Sequence, residues 1–414
     1  MKRTMIESSV IMKLKEKIEL GNNEAVQVFW NNIEKGNAPL IEKIDGDLEN
    51  SLVTFVYKGD EDIENIVLIP PIGRDNLLEN KMEKFLDTNI WYASYEINNK
   101  LRFKYSFSVN DSFDINCEKR WDNLECDKLN KNKLVFKDEN EEDDEVDSYV
   151  VMPNAGEEFW VKERNDIHKW IIHEHKFYSE NVERARRVII YTPYGYNEDD
   201  KPYKFLVLTD AEEYINVLSA RNVIDNLITD KKIEPIVVIF IGSIGMRSKE
   251  LSCDDTFVEM IVNELLPWIR NNYNISSQAY EAIIGGLSLG GLTASYLGLK
   301  HSEVFGNVLS QSGAYWYKPK DYDGYEPDCW ISTKFKAIDK LPLKFYLNVG
   351  VLEHKEGMIG TNNILKDVLI GKGYDVYFEY FNSGHDYLSW GETLANGLIS
   401  LIGINKNVTK VKDF

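Results

Sequence analysis

A serine framed by glycines, Gly286-Leu287-Ser288-Leu289-Gly290, stands between the apolar run Ala282-Ile283-Ile284 and a stretch of small and apolar residues that reaches His301. A serine hydroxyl is a weak nucleophile unless a base takes its proton and the chain offers it to substrate, which a tight strand-to-helix turn does. Glycines on either side let the backbone bend that sharply without side-chain clashes. The same turn aims the first helical amides at the reacting carbonyl, so the Leu289 N–H is a candidate oxyanion donor. The alternative is a structural turn; the apolar strand before it and the helix after it favour a nucleophile elbow.

A nucleophilic serine needs a base and an orienting acid, which follow it in the order acid, then histidine, in chains built this way. His385, in FNSGHDYLSW after the strand-like DVYFEYF, is the candidate base; the competitor His354 adjoins the candidate acids and reads as a loop residue. The acid is expected after the strand LKFYLNVG, where VLEHKEG offers Glu353 and Glu356. Glu353, three residues past Gly350, is preferred, with Glu356 kept open. The second oxyanion donor is expected after the strand KFLVLT, from the backbone N–H of Ala211 or Glu212, with Asp210 either part of the site or a helix cap. Arg247, with Lys249 beside it, follows another strand, EPIVVIFIGS, and strand carboxyl ends line the cleft in open α/β sheets. A guanidinium there suits an anionic or catechol-like group; otherwise it pairs with Glu250 on the surface. Trp316, in GAYWY with Tyr315 and Tyr317, either walls the cleft or packs.

These residues need a scaffold. From residue 155 to 414, short apolar strands alternate with helix-length segments, the pattern of a mostly parallel sheet covered on both faces, and this stretch is expected to be an α/β-hydrolase catalytic domain. Residues 41–154 carry short β-branched and aromatic runs (SLVTFVYKG, ENIVLIPPI, NIWYASYEI, RFKYSFSVN) and predict a small antiparallel sandwich. Within it, Asp138–Asp147 is an acidic loop with eight negative charges in ten residues, read as a solvated loop rather than a cation site. Residues 1–40 form an amino-terminal segment that looks helical over 1–35 and packs on the body.

The 414-residue chain is 43% hydrophobic and 12% aromatic, enough for sizeable cores. A net charge of −20 argues against general affinity for nucleic acid or anionic membrane. No run approaches a membrane span or a signal peptide. The four cysteines and six histidines show no metal-like spacing. A soluble cytoplasmic protein without metal or organic cofactor is expected, its oligomeric state open between monomer and homo-oligomer.

The segments RARRVIIYTP, RSKEL with Cys253 downstream, GGLSLGG, VFGNVLSQSGAYWY and SGHDYLSW together resemble the enterochelin esterase family. Toward the amino terminus, VTFVYKG, the stretch around Trp91, RFKYSFS and DKLNKN at Asp127 resemble that family's immunoglobulin-like domain. The resemblance implies a serine esterase of iron metabolism that cuts the lactone bonds of a ferric tris-catecholate siderophore, with Ser288 as nucleophile, His385 as base, Glu353 as acid and Arg247 lining the cleft. The acidic run and the first 35 residues depart from the family pattern. Two alternatives stand beside it. One is a carbohydrate acetyl or feruloyl esterase with a carbohydrate-binding-like amino-terminal module; the other is a non-catalytic binder on the same fold.

Overall fold

The computed structural model describes all residues except 1, 5, 37, 71–72, 74–75, 137–144, 321, 323–328, 405–410 and 413–414. The chain divides into two compact units, Met1–Glu157 with Asn382–Asp386, and Glu158–Phe381 with Tyr387–Phe414.

In the first unit, strands β1 (Leu40–Ile44), β2 (Asp47–Lys58), β3 (Ile66–Ile69), β4 (Ile90–Asn98), β5 (Arg102–Val109), β6 (Lys133–Phe136) and β7 (Glu145–Val151) form two antiparallel sheets. One runs β4-β2-β1, with the pair Lys2–Arg3 on the outer edge of β4; the other runs β3-β5-β7-β6. Alternating aromatics of β2 and β5 join them edge to face, Phe55 on Tyr105 at 4.7 Å and Tyr57 on Phe107 at 5.1 Å. Such alternation is what a strand needs to bury one face and wet the other. Helices α1 (Ser9–Glu19) and α2 (Ala25–Glu34) put Ile11, Leu14, Phe29, Trp30 and Ile33 against Val56, Phe85 and Ile90, so the amino-terminal segment belongs to this unit's core. Ser8 starts α1 by accepting hydrogen bonds from the Val10 and Ile11 N–H groups. Most of the acidic run lies outside the described residues. Its last three residues, Glu145 to Asp147, open strand β7, where Asp147 pairs with Lys104 at 2.8 Å.

The second unit is built on a nine-stranded sheet. Its strands are β8 (Ile171–Ser179), β9 (Arg184–Thr192), β10 (Lys204–Thr209), β11 (Ile236–Ile241), β12 (Ala282–Leu287), β13 (Asn307–Gln311), β14 (Lys344–Gly350), β15 (Asp375–Phe381) and β16 (Val411–Lys412). Their order is β8-β9-β11-β10-β12-β13-β14-β15-β16. Pairing is antiparallel at the β8-β9-β11 edge and parallel from β11 to β16. Neighbouring residues of one strand enter different cores: Phe205 and Val207 face one, Leu206 and Leu208 the other. Strands buried on both faces read as continuous apolar runs, as Ile236–Ile241 does. Helix α3 (Ala220–Thr229) and helix α4 (Trp390–Ile402) pack together in the core that Leu206 and Leu208 enter. The helix that follows β12, Leu289–Lys300, is buried from Gly290 to Gly298.

Candidate active site

Three strands of the parallel sheet end on a residue held at positive φ, and none of the three is glycine. Asp210 follows β10 with φ 59°, Ser288 follows β12 with φ 56°, and Ser312 follows β13 with φ 47°. Left-handed backbone costs a residue bearing a Cβ of order 1 kcal/mol, and such strain gathers where a side chain must point in an unusual direction. The three strands are neighbours, with Leu208 opposite Gly285 and Leu287 opposite Gln311. The strain therefore clusters at one end of the sheet, the carboxyl end, where open α/β sheets carry their sites.

Ser288 is half-buried, with ψ −117° at the junction between β12 and the following helix. The junction is tight because its glycines leave no room for a side chain. A Cβ on Gly286 would lie 2.5 Å from the carbonyl carbon of Gly290, and one on Gly290 would lie 2.5 Å from Thr209 Oγ1. Backbone bonds fix the serine from both sides: its N–H donates to the Gln311 carbonyl (2.9 Å) and its carbonyl accepts from the Ala314 N–H (2.9 Å). Leu289, the first residue of the helix, has an amide with no partner inside that helix, the arrangement an oxyanion donor requires.

Glu353 is 5% exposed and lies on the loop after β14. Its Oε1 accepts from the Ser312 hydroxyl at 2.6 Å and from the Gly350 N–H at 2.7 Å. Glu356, the other candidate, is exposed. His354 is turned to a local task, its Nδ1 accepting from the Gly357 N–H at 2.9 Å. Strand β15 ends at Phe381, opposite Gly350 of β14, and His385 follows it in the segment Asn382–Asp386, which groups with the first unit. His385 is exposed, and within its own loop the Ser383 hydroxyl donates to Asp386 at 2.9 Å.

Asp210 and Arg247 meet. The guanidinium donates through Nε to Oδ1 at 2.6 Å and through Nη2 to Oδ2 at 3.0 Å, a two-pronged pair around a buried carboxylate. Burial works against the Arg247 charge, but its bonds to Asp210 prevail and the pKa is raised above the ordinary arginine value. Glu250, the surface partner of the alternative reading of Arg247, is bound instead by the buried Arg186 at 2.7 Å. Asp210 caps with its backbone, the carbonyl accepting from the Tyr214 N–H at 3.1 Å, and leaves its carboxylate to the arginine. Ala211 follows it, fully buried, at the start of the next helical segment, whereas Glu212 is half-buried and its carboxylate lies 3.9 Å from Arg187. Of the aromatic run, Tyr315 is core and bonds Ser310 (2.6 Å) and Ser295 (2.7 Å), while Trp316 is 49% exposed.

Sequence reasoning assigned no role to Ser312, Gln311 or Tyr214. Gln311 is buried, accepts from the Tyr214 hydroxyl (2.7 Å), and donates to the Trp390 carbonyl (2.6 Å) and Thr393 Oγ1 (2.7 Å), so it braces the floor under the elbow. The signal available was the polar pattern Ser310-Gln311-Ser312 at the end of an otherwise apolar strand, since buried polar groups there need partners. Among the described residues no group of three or more histidine, cysteine or acidic side chains is arranged to hold a metal ion, and no helix is long and apolar enough to cross a membrane.

The chain is similar to known proteins. The family model described as "Putative esterase" matches residues 179–401. An iron(III) enterobactin esterase of Escherichia coli K12 is 31% identical over 227 residues, covering 54% of this chain and 55% of that protein. An endo-1,4-beta-xylanase/feruloyl esterase of Xylanibacter ruminicola is 27% identical, over 62% of this chain and 34% of its own length. The crystal structure of an enterobactin esterase from Shigella flexneri, obtained in the presence of enterobactin, superposes with a TM-score of 0.74 at 24% identity. It covers 90% of this chain and 97% of that one, which shows a shared mixed α/β fold. The chain spans about half the length of the curated relatives it matches. The chain belongs to the esterase family of that model, the family of the enterochelin esterases.

Proposed function

We propose that this protein is a serine esterase that hydrolyses the lactone ester bonds of a tris-catecholate siderophore and so releases its iron. The observation that carries the chemistry is the strained Ser288, presented half-buried at the sheet-to-helix junction beside a buried, doubly bonded Glu353. In this reading the second unit is an α/β-hydrolase domain, the first an immunoglobulin-like sandwich. Ser288 Oγ attacks the ester carbonyl carbon as His385 Nε2 takes its proton. The oxyanion that forms accepts hydrogen bonds from the Leu289 and Ala211 amides. The carbon–oxygen bond to the leaving alcohol then breaks, and that oxygen takes the proton from His385. Water, deprotonated by the same histidine, cleaves the acyl-enzyme and restores Ser288. Glu353 holds the imidazole in the tautomer that accepts at Nε2.

The siderophore assignment is supported by relatives at 26–31% identity that are iron(III) enterobactin esterases. All four cysteines are free thiols, which fits a reducing cytoplasm. The second reading, a feruloyl or acetyl esterase of carbohydrates, draws on the xylanase/feruloyl esterase match. Incubating the enzyme with a ferric tris-catecholate trilactone and with a feruloylated sugar, and resolving the products by chromatography, separates the two.

Arg247 was expected to meet the substrate, and its Nε and Nη2 are already given to Asp210. Its removal leaves a buried carboxylate unpaired next to Ala211, which disturbs the oxyanion donor whatever the charge of the ester. Arg247→Gln is accordingly expected to lower kcat for a neutral p-nitrophenyl ester and for the catecholate substrate alike, by about 10²-fold. Steady-state kinetics on both substrates check this; a rise in KM confined to the anionic substrate would assign the arginine to substrate binding.

A further inference from the structure

The turn from Gln311 to Ala314 touches two members of the proposed triad through different atoms. Its ends hold the nucleophile: the Gln311 carbonyl accepts from the Ser288 N–H, and the Ala314 N–H donates to the Ser288 carbonyl, both at 2.9 Å. Its middle holds the acid, for the Ser312 hydroxyl donates to Glu353 Oε1 at 2.6 Å. The hydroxyl is itself aimed. Trp390 Nε1 donates to Ser312 Oγ at 3.1 Å, so the hydroxyl hydrogen is left for the carboxylate. The Ser312 N–H is anchored on Asn348, at 3.0 Å to Oδ1 and 3.1 Å to the carbonyl. Ser312 is fully buried and bears a φ of 47° that glycine would adopt without strain. Alternatives for the position are therefore cheap, and a hydroxyl is present at a conformational cost.

We propose that Ser312 is a positioning residue for ester hydrolysis: its hydroxyl locks Glu353 Oε1 while the turn around it fixes Ser288, setting the spacing between acid and nucleophile. The proposal rests on the triad reading above.

The test is Ser312→Gly, which removes the hydroxyl and relaxes the backbone, with Ser312→Ala as a second variant that keeps the strain. Loss of aim is expected to lower kcat by about 10²-fold in both, with KM little changed. A merely structural serine moves the melting temperature and leaves kcat per folded enzyme where it was; that result overturns the proposal. Glu353→Gln is measured in parallel. If it is inactive while Ser312→Gly matches wild type in kcat, the positioning role falls and the triad stands. If Glu353→Gln is itself fully active, the triad reading falls and the proposal with it.

Discussion

Ser288→Ala is expected to lower kcat for a p-nitrophenyl ester by about 10⁶-fold, the scale on which loss of a triad nucleophile acts. The substitution removes one oxygen atom and keeps the Cβ, so the left-handed backbone at φ 56° is no more strained than before. Its backbone N–H donates to Gln311 and its carbonyl accepts from Ala314, and alanine makes both bonds. Stability is therefore expected to stay within about 0.5 kcal/mol of wild type by denaturant titration. Turnover lost with the fold intact identifies the hydroxyl as the reacting group. Equal rates in mutant and wild type would retire Ser288 as nucleophile and leave the non-catalytic reading of the fold.

Glu353→Gln is the second large effect, expected at about 10⁴-fold in kcat. The amide is the right size, and its oxygen can replace Oε1 in accepting from Ser312 and Gly350. In the proposed triad its nitrogen then takes the place of Oε2 and presents a donor to the imidazole Nδ1–H, which needs an acceptor. The ring answers by moving its proton to Nε2, and a protonated Nε2 cannot take a proton from Ser288. The same change at Glu356 alters an exposed side chain and is expected to leave kcat within about twofold, as surface substitutions away from a site generally do. Parallel kinetics on the two variants decide between them; the reverse pattern would move the acid to Glu356.

The elbow was legible because its constraint is local. Only small residues fit where Gly286 meets the Gly290 backbone, and the apolar strand ahead of it announces a buried sheet. The alternation of strands and helices made the mostly parallel sheet readable, and the β-branched and aromatic runs did the same for the antiparallel sheets. What stayed hidden was pairing across distance. Nothing in the sequence ties Arg247 to Asp210, 37 residues apart, or Ser312 to Glu353, 41 apart. Both contacts exist because the parallel order β11-β10-β12-β13-β14 brings the ends of those strands side by side. The left-handed backbone at Asp210 and Ser312 was equally silent, since only glycine advertises a positive φ in a sequence. In VLEHKEG the sequence preferred Glu353 for its place after Gly350 and kept Glu356 open; burial of the first and exposure of the second separate them.

The most direct test of the account is product analysis on a ferric tris-catecholate trilactone, with wild type and Ser288→Ala side by side and a feruloylated sugar as the competing ester. The account predicts that wild type opens the trilactone to linear catecholate fragments at a rate far above that on the feruloylated sugar, and that Ser288→Ala yields neither product. Release of ferulate with the trilactone left whole, or trilactone opening that survives the loss of Ser288, would contradict it.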